Sequence, residues 1–355
     1  MTVKQVSKNR LLYIDHRMRV EYHRGSIYFM DQKCNRMILA QQMETSFFMR
    51  FCAAVPVLER MFRCEPRFVT RWSDTEYLVS HRGFLYQINP VIQKVRIVCR
   101  YTAGTKNPLH FCEYCRNGKK EIVFGDYGGH EKDGSISIYR YTKEGIRKLA
   151  FFKCGQIDHI HRVEYDFYKD CYWIFTGDTD AASGIWKMDY NGENLSPYVI
   201  GKQCYRACTA FVERDRIVYA TDTPLEKNHI YSIRLSDQSV KKLYTMPGPC
   251  IYGIRIKKEG EWLYVFSTSV EPDSRLPVYR YRLTYKTGQG VSDRFSYIVS
   301  GNEKLGFHPI WRSQKDILPI WLFQFGNHRF PNQKKRGTIY FCPQSCKKKG
   351  TWSWS

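Results

Sequence analysis

Several signals of other protein classes are missing from this chain of 355 residues. It has no run of about eighteen apolar residues, the length that a membrane-spanning helix needs. The first residues, MTVKQVSKNRLLYIDHRMR, lack the apolar stretch of a signal peptide. Prolines are few, at 14, and aromatic residues make up 15% of the chain, which disfavours disorder. Nucleotide-binding and hydrolase motifs such as GxxxxGKS/T, HExxH and GxSxG are absent, as is the Asp-box of sialidase hairpins.

A disulfide framework is also missing, because the thirteen cysteines are odd in number and irregularly spaced. We therefore expect reduced thiols in a cytoplasmic protein, and a secreted or periplasmic one if a leader has been trimmed from the chain. Cys112 and Cys115 have a zinc-like spacing, but no second pair lies nearby. The sequence thus predicts no metal and no cofactor, with a structural or bridging divalent ion left open.

Acidic residues are scarce relative to basic ones, and the net charge is +22. An excess of this size favours a polyanionic partner, and nucleic acid, anionic lipid and acidic polysaccharide would all satisfy it. Lysine and arginine are spread over the whole chain without a nucleic-acid-binding motif, and the run at 347–349 is expected in a turn far from the site. Nucleic acid is therefore ranked low, and an acidic polysaccharide or oligosaccharide is the expected partner.

The most informative feature present is a repeat. Seven segments, each an aromatic-rich strand, a polar turn and a second short strand, recur at intervals of 45 to 60 residues. Their first residues are Gly25, Gly83, Gly134, Gly184, His229, Pro277 and Gly337. Each reads as a β-hairpin, and two further strands precede it. Four antiparallel strands repeated seven times predict an all-β, seven-bladed β-propeller rather than a sandwich or a β-helix.

A single propeller domain is expected to span residues 1–355. The predicted blades are approximately 10–41, 66–100, 109–152, 158–200, 204–246, 250–300 and 307–355. Residues 42–65 predict a short helical insertion between blades 1 and 2. Because the first blade looks complete by itself, ring closure is expected without a strand borrowed from the other terminus.

Propeller topology predicts which residues share a face. With strands lettered A to D from the axis outward, the B–C loops and the D-to-A crossovers lie on one rim. Most histidines fall there, including His159 and His161, which are two apart at the start of an A strand. The candidate catalytic residues on this rim are His159, His161, His130, Arg206, Tyr252 and Tyr127. The candidate substrate-binding residues are His81, Arg82, His110, Arg162, Tyr205, Arg275, His308 and His328.

The middle of the chain carries further motifs. They are Asp126-Tyr127-Gly128 in a B–C loop, the His-x-His strand, TGD ending at Asp178, and a Q-x-x-R segment at 203–206. A TD…N-x-I-Y run follows from Asp222. Together these resemble the sialidase-like propellers of bacterial polysaccharide gene clusters and the seven-bladed ulvan lyases, over about a third of the chain.

That resemblance implies a lyase that cuts a uronic-acid-containing polysaccharide by β-elimination. Histidine and tyrosine would transfer protons, and an arginine would neutralise the uronate carboxylate. The match extends to His159 or His161, Arg206 and His130, but identifies no catalytic tyrosine.

Two other functions remain open. A glycoside hydrolase would use rim carboxylates from the set Asp126, Glu131, Asp178, Asp222 and Glu271. A non-catalytic propeller would bind an anionic glycan without cutting it, because the propeller fold alone does not fix function. Asp178 and Asp222 are also expected to cap their loops through Asx turns, which would make them structural.

Overall fold

A computed structural model describes residues 2–102, 104–258, 260–334 and 337–355. Seven sheets, each built on four antiparallel strands in radial order, form the blades of one ring, and one of them carries a short fifth strand. The first strands of neighbouring blades pack together and line a central channel. The predicted seven-bladed β-propeller is therefore confirmed, as is the short helical insertion between blades 1 and 2.

The strands follow the chain from the axis outward in six of the seven blades. Blade 1 contains Arg10–Ile14, Met18–His23, Ser26–Asp31 and Met37–Gln42, and blade 2 contains Phe68–Arg71, Tyr77–His81, Phe84–Asn89 and Lys94–Arg100. Blade 3 contains Cys112–Arg116, Lys119–Gly125, Ile136–Thr142 and Gly145–Phe152, and blade 4 contains His159–Asp166, Cys171–Gly177, Gly184–Asp189 and Ser196–Ile200. Blade 5 contains Ala207–Val212, Arg216–Thr221, Asn228–Arg234 and Val240–Met246, and blade 6 contains Cys250–Lys258, Glu261–Thr268, Phe295–Asn302 and Gly306–Gln314.

Burial explains why these sequences form inner and outer strands. Strand B of blade 4, CYWIFTG, is buried along its whole length, because both of its faces pack against neighbouring blades. Phe175 and Ile185 of blade 4, for example, share one apolar cluster with Ala210 and Tyr219 of blade 5. The outermost strand of blade 4 has no buried residue. The core is thus a ring of apolar layers between blades, and it holds the inner strands in fixed positions.

Ring closure differs from the prediction. The N-terminal strand Val3–Ser7 pairs with Thr351–Trp354 and becomes the outermost strand of blade 7. The other strands of that blade are Asn327–Arg329 and Ile339–Gln344. A short strand, Asn332–Gln333, runs parallel to strand A of blade 1. The expectation of closure without a borrowed strand was wrong, because the last hairpin supplies strands B and C and leaves the outer position open.

Because of this closure, the lysine run lies in a different connection from the one predicted. Residues 347–349 lie in the B–C connection of blade 7, whereas the prediction put them in a C–D turn on the opposite face. All three lysines are exposed on the rim that carries the B–C loops.

Blade 6 differs from the prediction as well. The segment from Pro277, expected to be a strand, contains a helix, α3, over Val278–Leu283 within the B–C connection. Strand D of blade 6 is Gly306–Gln314, which extends this blade beyond the predicted limit of residue 300. His308 lies near the start of that strand, at the C–D end, and was wrongly assigned to the opposite rim.

The insertion between blades 1 and 2 forms two helices, α1 over Phe47–Ala54 and α2 over Pro56–Met61. The Ser46 side chain caps α1 by accepting a hydrogen bond from the Met49 amide. Cys52 and Ala53 of α1 are buried against Leu58 of α2. None of the helices in the described ranges is long and apolar enough to cross a membrane. All thirteen cysteines fall in these ranges and are unpaired.

Candidate functional site

The histidine pair lies where the sequence predicted it, at the start of strand A in blade 4. The Nε2 atoms of His159 and His161 are 2.9 Å apart, so one ring donates a hydrogen bond to the other. Only 8% of His159 and 2% of His161 is exposed. Burial and the neighbouring His161 lower the pKa of His159 to about 3. The His159 imidazole is therefore neutral at physiological pH and is a weak base.

Asp178 joins this pair to the next blade. Its Oδ1 lies 3.3 Å from His161 Nε2 and 3.6 Å from His159 Nε2. Arg206 donates to the same oxygen at 2.8 Å and to the Asp178 carbonyl at 2.9 Å. Desolvation opposes ionisation of Asp178, but the hydrogen bond from His161 and the charge of Arg206 lower its pKa. Asp178 is thus an ionised group at the centre of the cluster rather than only a loop cap.

Asp158 and Gly177 allow Asp178 to lie this close to the two histidines. Asp158 Oδ2 accepts hydrogen bonds from the Asp178 amide at 2.7 Å and the Thr179 amide at 2.8 Å, which fixes the B–C loop over strand A. Gly177 precedes Asp178, and a Cβ on it would lie 2.6 Å from His161 Cε1. A side chain at position 177 would therefore displace the imidazole.

A second group of polar side chains extends from His161 to blade 5. The Cys208 thiol donates to Asp222 Oδ2 at 3.0 Å, and suitable donor atoms of His161, Cys208 and Asp222 lie within 4.8 Å of one another. Glu271 is buried close to Asp222. Burial and the charge of Asp222 raise the pKa of Glu271 to about 8, so this carboxyl is protonated at neutral pH.

His159, His161 and Asp178 are the described residues best placed to hold a divalent metal. Their donor atoms form a triangle with sides of 2.9, 3.3 and 3.6 Å, close to the spacing of about 3.3 Å between ligands of a tetrahedral zinc ion. Arg206, however, already supplies the positive charge that Asp178 attracts. His161 Nδ1 is buried and has no hydrogen-bond partner among the described residues, whereas a ligating imidazole normally donates through its second nitrogen. The distances between the donor atoms thus fit a bound metal ion, but the charge of Arg206 and the unpartnered His161 Nδ1 do not.

Beneath the histidine cluster, the first strands enclose a channel of about 630 Å³. Five guanidinium groups line it, those of Arg10, Arg67, Arg162, Arg255 and Arg329, and Arg255 faces Glu213 at 3.6 Å. Arg10 and Arg329 face Glu65, and Arg162 pairs with Glu164 at 2.5 Å. Arg67 has no ion pair within the described part of the chain, and its Nε is buried without a hydrogen bond. The channel therefore offers a free cation to an anionic ligand.

Tyr252 lines the same channel, in strand A of blade 6. The guanidinium carbons of Arg67 and Arg329 lie 5.7 and 5.4 Å from its ring centroid. Desolvation would raise the pKa of Tyr252, but Arg329, Arg67 and Arg10 together lower it below its ordinary value. Cys208 lines the channel too and lies within electrostatic range of Tyr252, so this tyrosine and the histidine cluster form one continuous site.

Tyr127 closes the other side of the cluster. Its ring meets His159 edge to face, with centroids 4.6 Å apart, and Lys106 Nζ lies 5.5 Å from its ring centroid. Desolvation and the charge of Asp178 raise the pKa of Tyr127, in contrast to Tyr252. The structure thus separates the two candidate tyrosines into a protonated donor and a group that ionises more readily.

The remaining predicted residues are dispersed. His130 is exposed and bonds only to the neighbouring Glu131 carbonyl among the described residues. Tyr205 lies in a short 3-10 turn, Gln203–Tyr205, and Arg275 pairs with Asp273 on the rim. His110 and Arg162 line the channel, and both face the same carboxylate oxygen of Glu164.

Two of the predicted substrate-binding histidines are structural. His81 is 1% exposed and faces Glu44 at 3.3 Å beneath the helical insertion, and Arg82 faces the same carboxylate at 3.6 Å. His328 is fully buried in strand A of blade 7, not in a B–C loop as predicted. It bridges two serines of blade 6, with Nδ1 2.8 Å from Ser296 Oγ and Nε2 3.2 Å from Ser313 Oγ. Neither histidine is accessible to a substrate.

Sequence reasoning missed Arg67, Arg329 and Cys208. Arg67 immediately precedes the first strand of its blade. His159 was selected because it lies at the start of the first strand of its blade, so the same criterion could have identified Arg67. Arg329 was not identified because the sequence analysis interpreted strand A of blade 7 as a B–C loop.

Comparisons with known proteins show the fold alone. No family model and no curated protein matches this chain. Among solved structures, a chain of the mitotic checkpoint complex matches with a TM-score of 0.54 and 8% identity, over 99% of this chain and 93% of the other. Dihydro-heme d1 dehydrogenase NirN in complex with DHE matches with a TM-score of 0.51 and 11% identity, over 98% of this chain. This chain spans 64% of the NirN chain. Regucalcin from Agrobacterium tumefaciens, a calcium-binding protein, matches with a TM-score of 0.47 and 10% identity, over 90% and 95% of the two chains.

Proposed function

We propose that this propeller is a polysaccharide lyase that cleaves a uronic-acid-containing polysaccharide by β-elimination. The observation that carries the proposal is Tyr252, which is surrounded by guanidinium groups in a channel continuous with the histidine cluster. A carboxylate-binding cation beside a readily ionised base is the combination that this reaction needs.

The first requirement is neutralisation of the uronate carboxylate, which makes the C5 proton acidic. The resemblance implied Arg206 for this role, but Asp178 already holds Arg206 through two hydrogen bonds. Arg67 has no such competitor in the described ranges and lines the channel. A guanidinium group can bind a carboxylate through two parallel hydrogen bonds. Arg67 is therefore assigned to the substrate carboxylate, and Arg206 to positioning Asp178.

The second requirement is a base. His159 is a poor one, because its pKa is lowered to about 3. The Tyr252 phenolate is favoured by Arg329, Arg67 and Arg10 and removes the C5 proton. The C4–O bond then breaks, a C4–C5 double bond forms, and the departing oxygen takes a proton from the newly protonated Tyr252 hydroxyl. The neutral His159 ring, His161 and Tyr127 contribute hydrogen bonds to sugar hydroxyls.

The test is the ultraviolet absorbance of the unsaturated product on polygalacturonate, alginate and ulvan. Tyr252→Phe is expected to lower the rate by about a hundredfold or more, because it removes the base while keeping the ring. Arg67→Gln is expected to raise KM and lower kcat. Tyr198→Phe and Arg234→Gln, both on outer strands, are the matched controls and should leave the rate unchanged. Full activity of Tyr252→Phe would overturn the assignment of the base.

A glycoside hydrolase on the same scaffold is the second candidate, and one observation favours it. Glu271 has a raised pKa, to which the charge of Asp178 contributes, and Asp178 itself has a lowered pKa. A protonated acid near an ionised carboxylate is how hydrolases divide the two roles. Saturated products, and their loss in Glu271→Gln but not in Tyr252→Phe, would replace the lyase with a hydrolase.

A further inference from the structure

An unusual amount of apolar surface is exposed on one part of the B–C rim. In α1, Phe47 is 87% exposed and Phe51 is 55% exposed, while Cys52 and Ala53 on the opposite side of the helix are buried. The helix α1 is thus apolar on both sides, and its outer face, with Phe47 and Phe51, is left exposed in the described chain.

The rim of blade 6 repeats this pattern. Val278 and Tyr279 at the start of α3 are 67% and 66% exposed, and Leu283 at its end is 58% exposed. Ile317, in the crossover from blade 6 to blade 7, is 81% exposed.

These elements form one surface, which we call the aromatic rim patch: α1, α2, α3 and residues 315–323. Its centre is Trp321, with the guanidinium carbon of Arg63 5.3 Å from the ring on one side and that of Arg282, in α3, at 5.4 Å. From α2, Arg60 pairs with Asp316 at 2.7 Å and donates to the Phe323 carbonyl at 2.8 Å. These contacts therefore hold the insertion against α3 of blade 6 and against the crossover that leads to blade 7.

The charge around the patch is predominantly positive. Residues 46–63 contain three arginines and one acid, Glu59, which is not exposed, and residues 277–286 contain two arginines and one lysine with no acid. The exposed lysines 347–349 lie in blade 7, between α3 and the insertion. Exposed phenylalanine, tyrosine and leucine among basic side chains are typical of segments that lie in the interface of an anionic bilayer.

We propose that the aromatic rim patch docks this protein onto an anionic lipid membrane. The phenylalanines of α1, the exposed residues of α3 and Ile317 enter the interfacial region, while the arginines and the lysines at 347–349 contact lipid phosphates. With eight residues, α1 lies along the surface rather than crossing it. The patch occupies blades 6, 7 and 1, and its Arg63 and Tyr281 lie within electrostatic range of Tyr127 and Asp178, respectively.

The test is co-sedimentation of the full chain with vesicles of phosphatidylcholine containing phosphatidylglycerol, compared with vesicles of phosphatidylcholine alone. We expect binding to the anionic vesicles that weakens as salt is added. The double variant Phe47→Ser/Phe51→Ser should weaken binding by about tenfold or more, and Ile317→Ser should weaken it through a separate element. The matched control is Val91→Ser/Ile92→Ser, two residues 63% and 65% exposed in a C–D turn on the opposite face.

Three results would overturn the proposal. The first is failure of the wild-type chain to bind anionic vesicles. The second is equal loss of binding in the control variant, which would mean that apolar exposure alone is responsible. The third is self-association that Phe47→Ser/Phe51→Ser abolishes without any vesicle binding, because the patch would then contact a second copy. No substrate is present, so lyase activity does not affect the outcome.

Discussion

His328 provides a quantitative test of which histidines are structural. It is fully buried between blades 6 and 7 and contacts two serines, and burial followed by the charge of Lys348 lowers its pKa to about 3. The unfolded chain protonates this ring below about pH 6.5, whereas the folded chain resists until about pH 3. Stability from the neutral ring is therefore complete above pH 6.5 and is lost as the pH falls. Between pH 7.5 and 5.0 the loss is about 2 kcal/mol.

The perturbation is His328→Gln, whose amide can still hydrogen-bond to serine but does not titrate. Urea unfolding at pH 7.5 and 5.0 gives the free energy of unfolding of both proteins at each pH. We expect the wild type to lose about 2 kcal/mol more than the variant on acidification, even if the variant is less stable at both values. His159, with a similarly lowered pKa, is unchanged in both proteins and cancels. An equal acid loss in the two proteins would refute this interpretation of His328.

Three further predictions follow from the described contacts. Gly177→Ala should lower the free energy of unfolding in urea by about 1–3 kcal/mol and reduce activity, because its Cβ would meet the His161 ring. An unchanged free energy of unfolding and unchanged activity would mean that the His161 ring moves freely. Deletion of residues 2–7 should lower the urea midpoint and promote aggregation, since it exposes the edge of Thr351–Trp354. Glu271→Gln should gain stability relative to the wild type as the pH rises from 5 to 8. The folded pKa of Glu271 is about 8, so burying this carboxyl destabilises the wild type increasingly as the pH rises above the unfolded pKa. Parallel dependence of the unfolding free energy on pH in the two proteins would contradict this.

Local sequence patterns were sufficient to predict the ring. Period-two alternation and polar turns identified the hairpins, and their number gave seven blades. The same rule failed at Val278–Leu283, where VYRYRL alternates like a strand but follows Pro277 and forms a helix. It also failed for Val3–Ser7, whose partner lies at the other end of the chain and leaves no local signal.

The site shows a similar limit. His159 and His161 could be located because their position in the blade follows from the repeat. The contact between Asp178 and Arg206 joins two blades, so it depends on packing that a single strand does not encode. Likewise, the environment of Tyr252 depends on Arg10, Arg67 and Arg329, which come from three other blades. Which candidates share one cavity was therefore visible only in three dimensions.

The proposed β-elimination depends on proton removal by Tyr252, and the mass of the product tests this role most directly. Incubation of the wild-type chain with a polyuronate should yield oligosaccharides whose new ends are lighter by one water than hydrolysis products and carry a C4–C5 double bond. Tyr252→Phe, with an unchanged urea midpoint, should yield almost none. Saturated ends from the wild type, or unsaturated ends at the same rate from Tyr252→Phe, would contradict the claim.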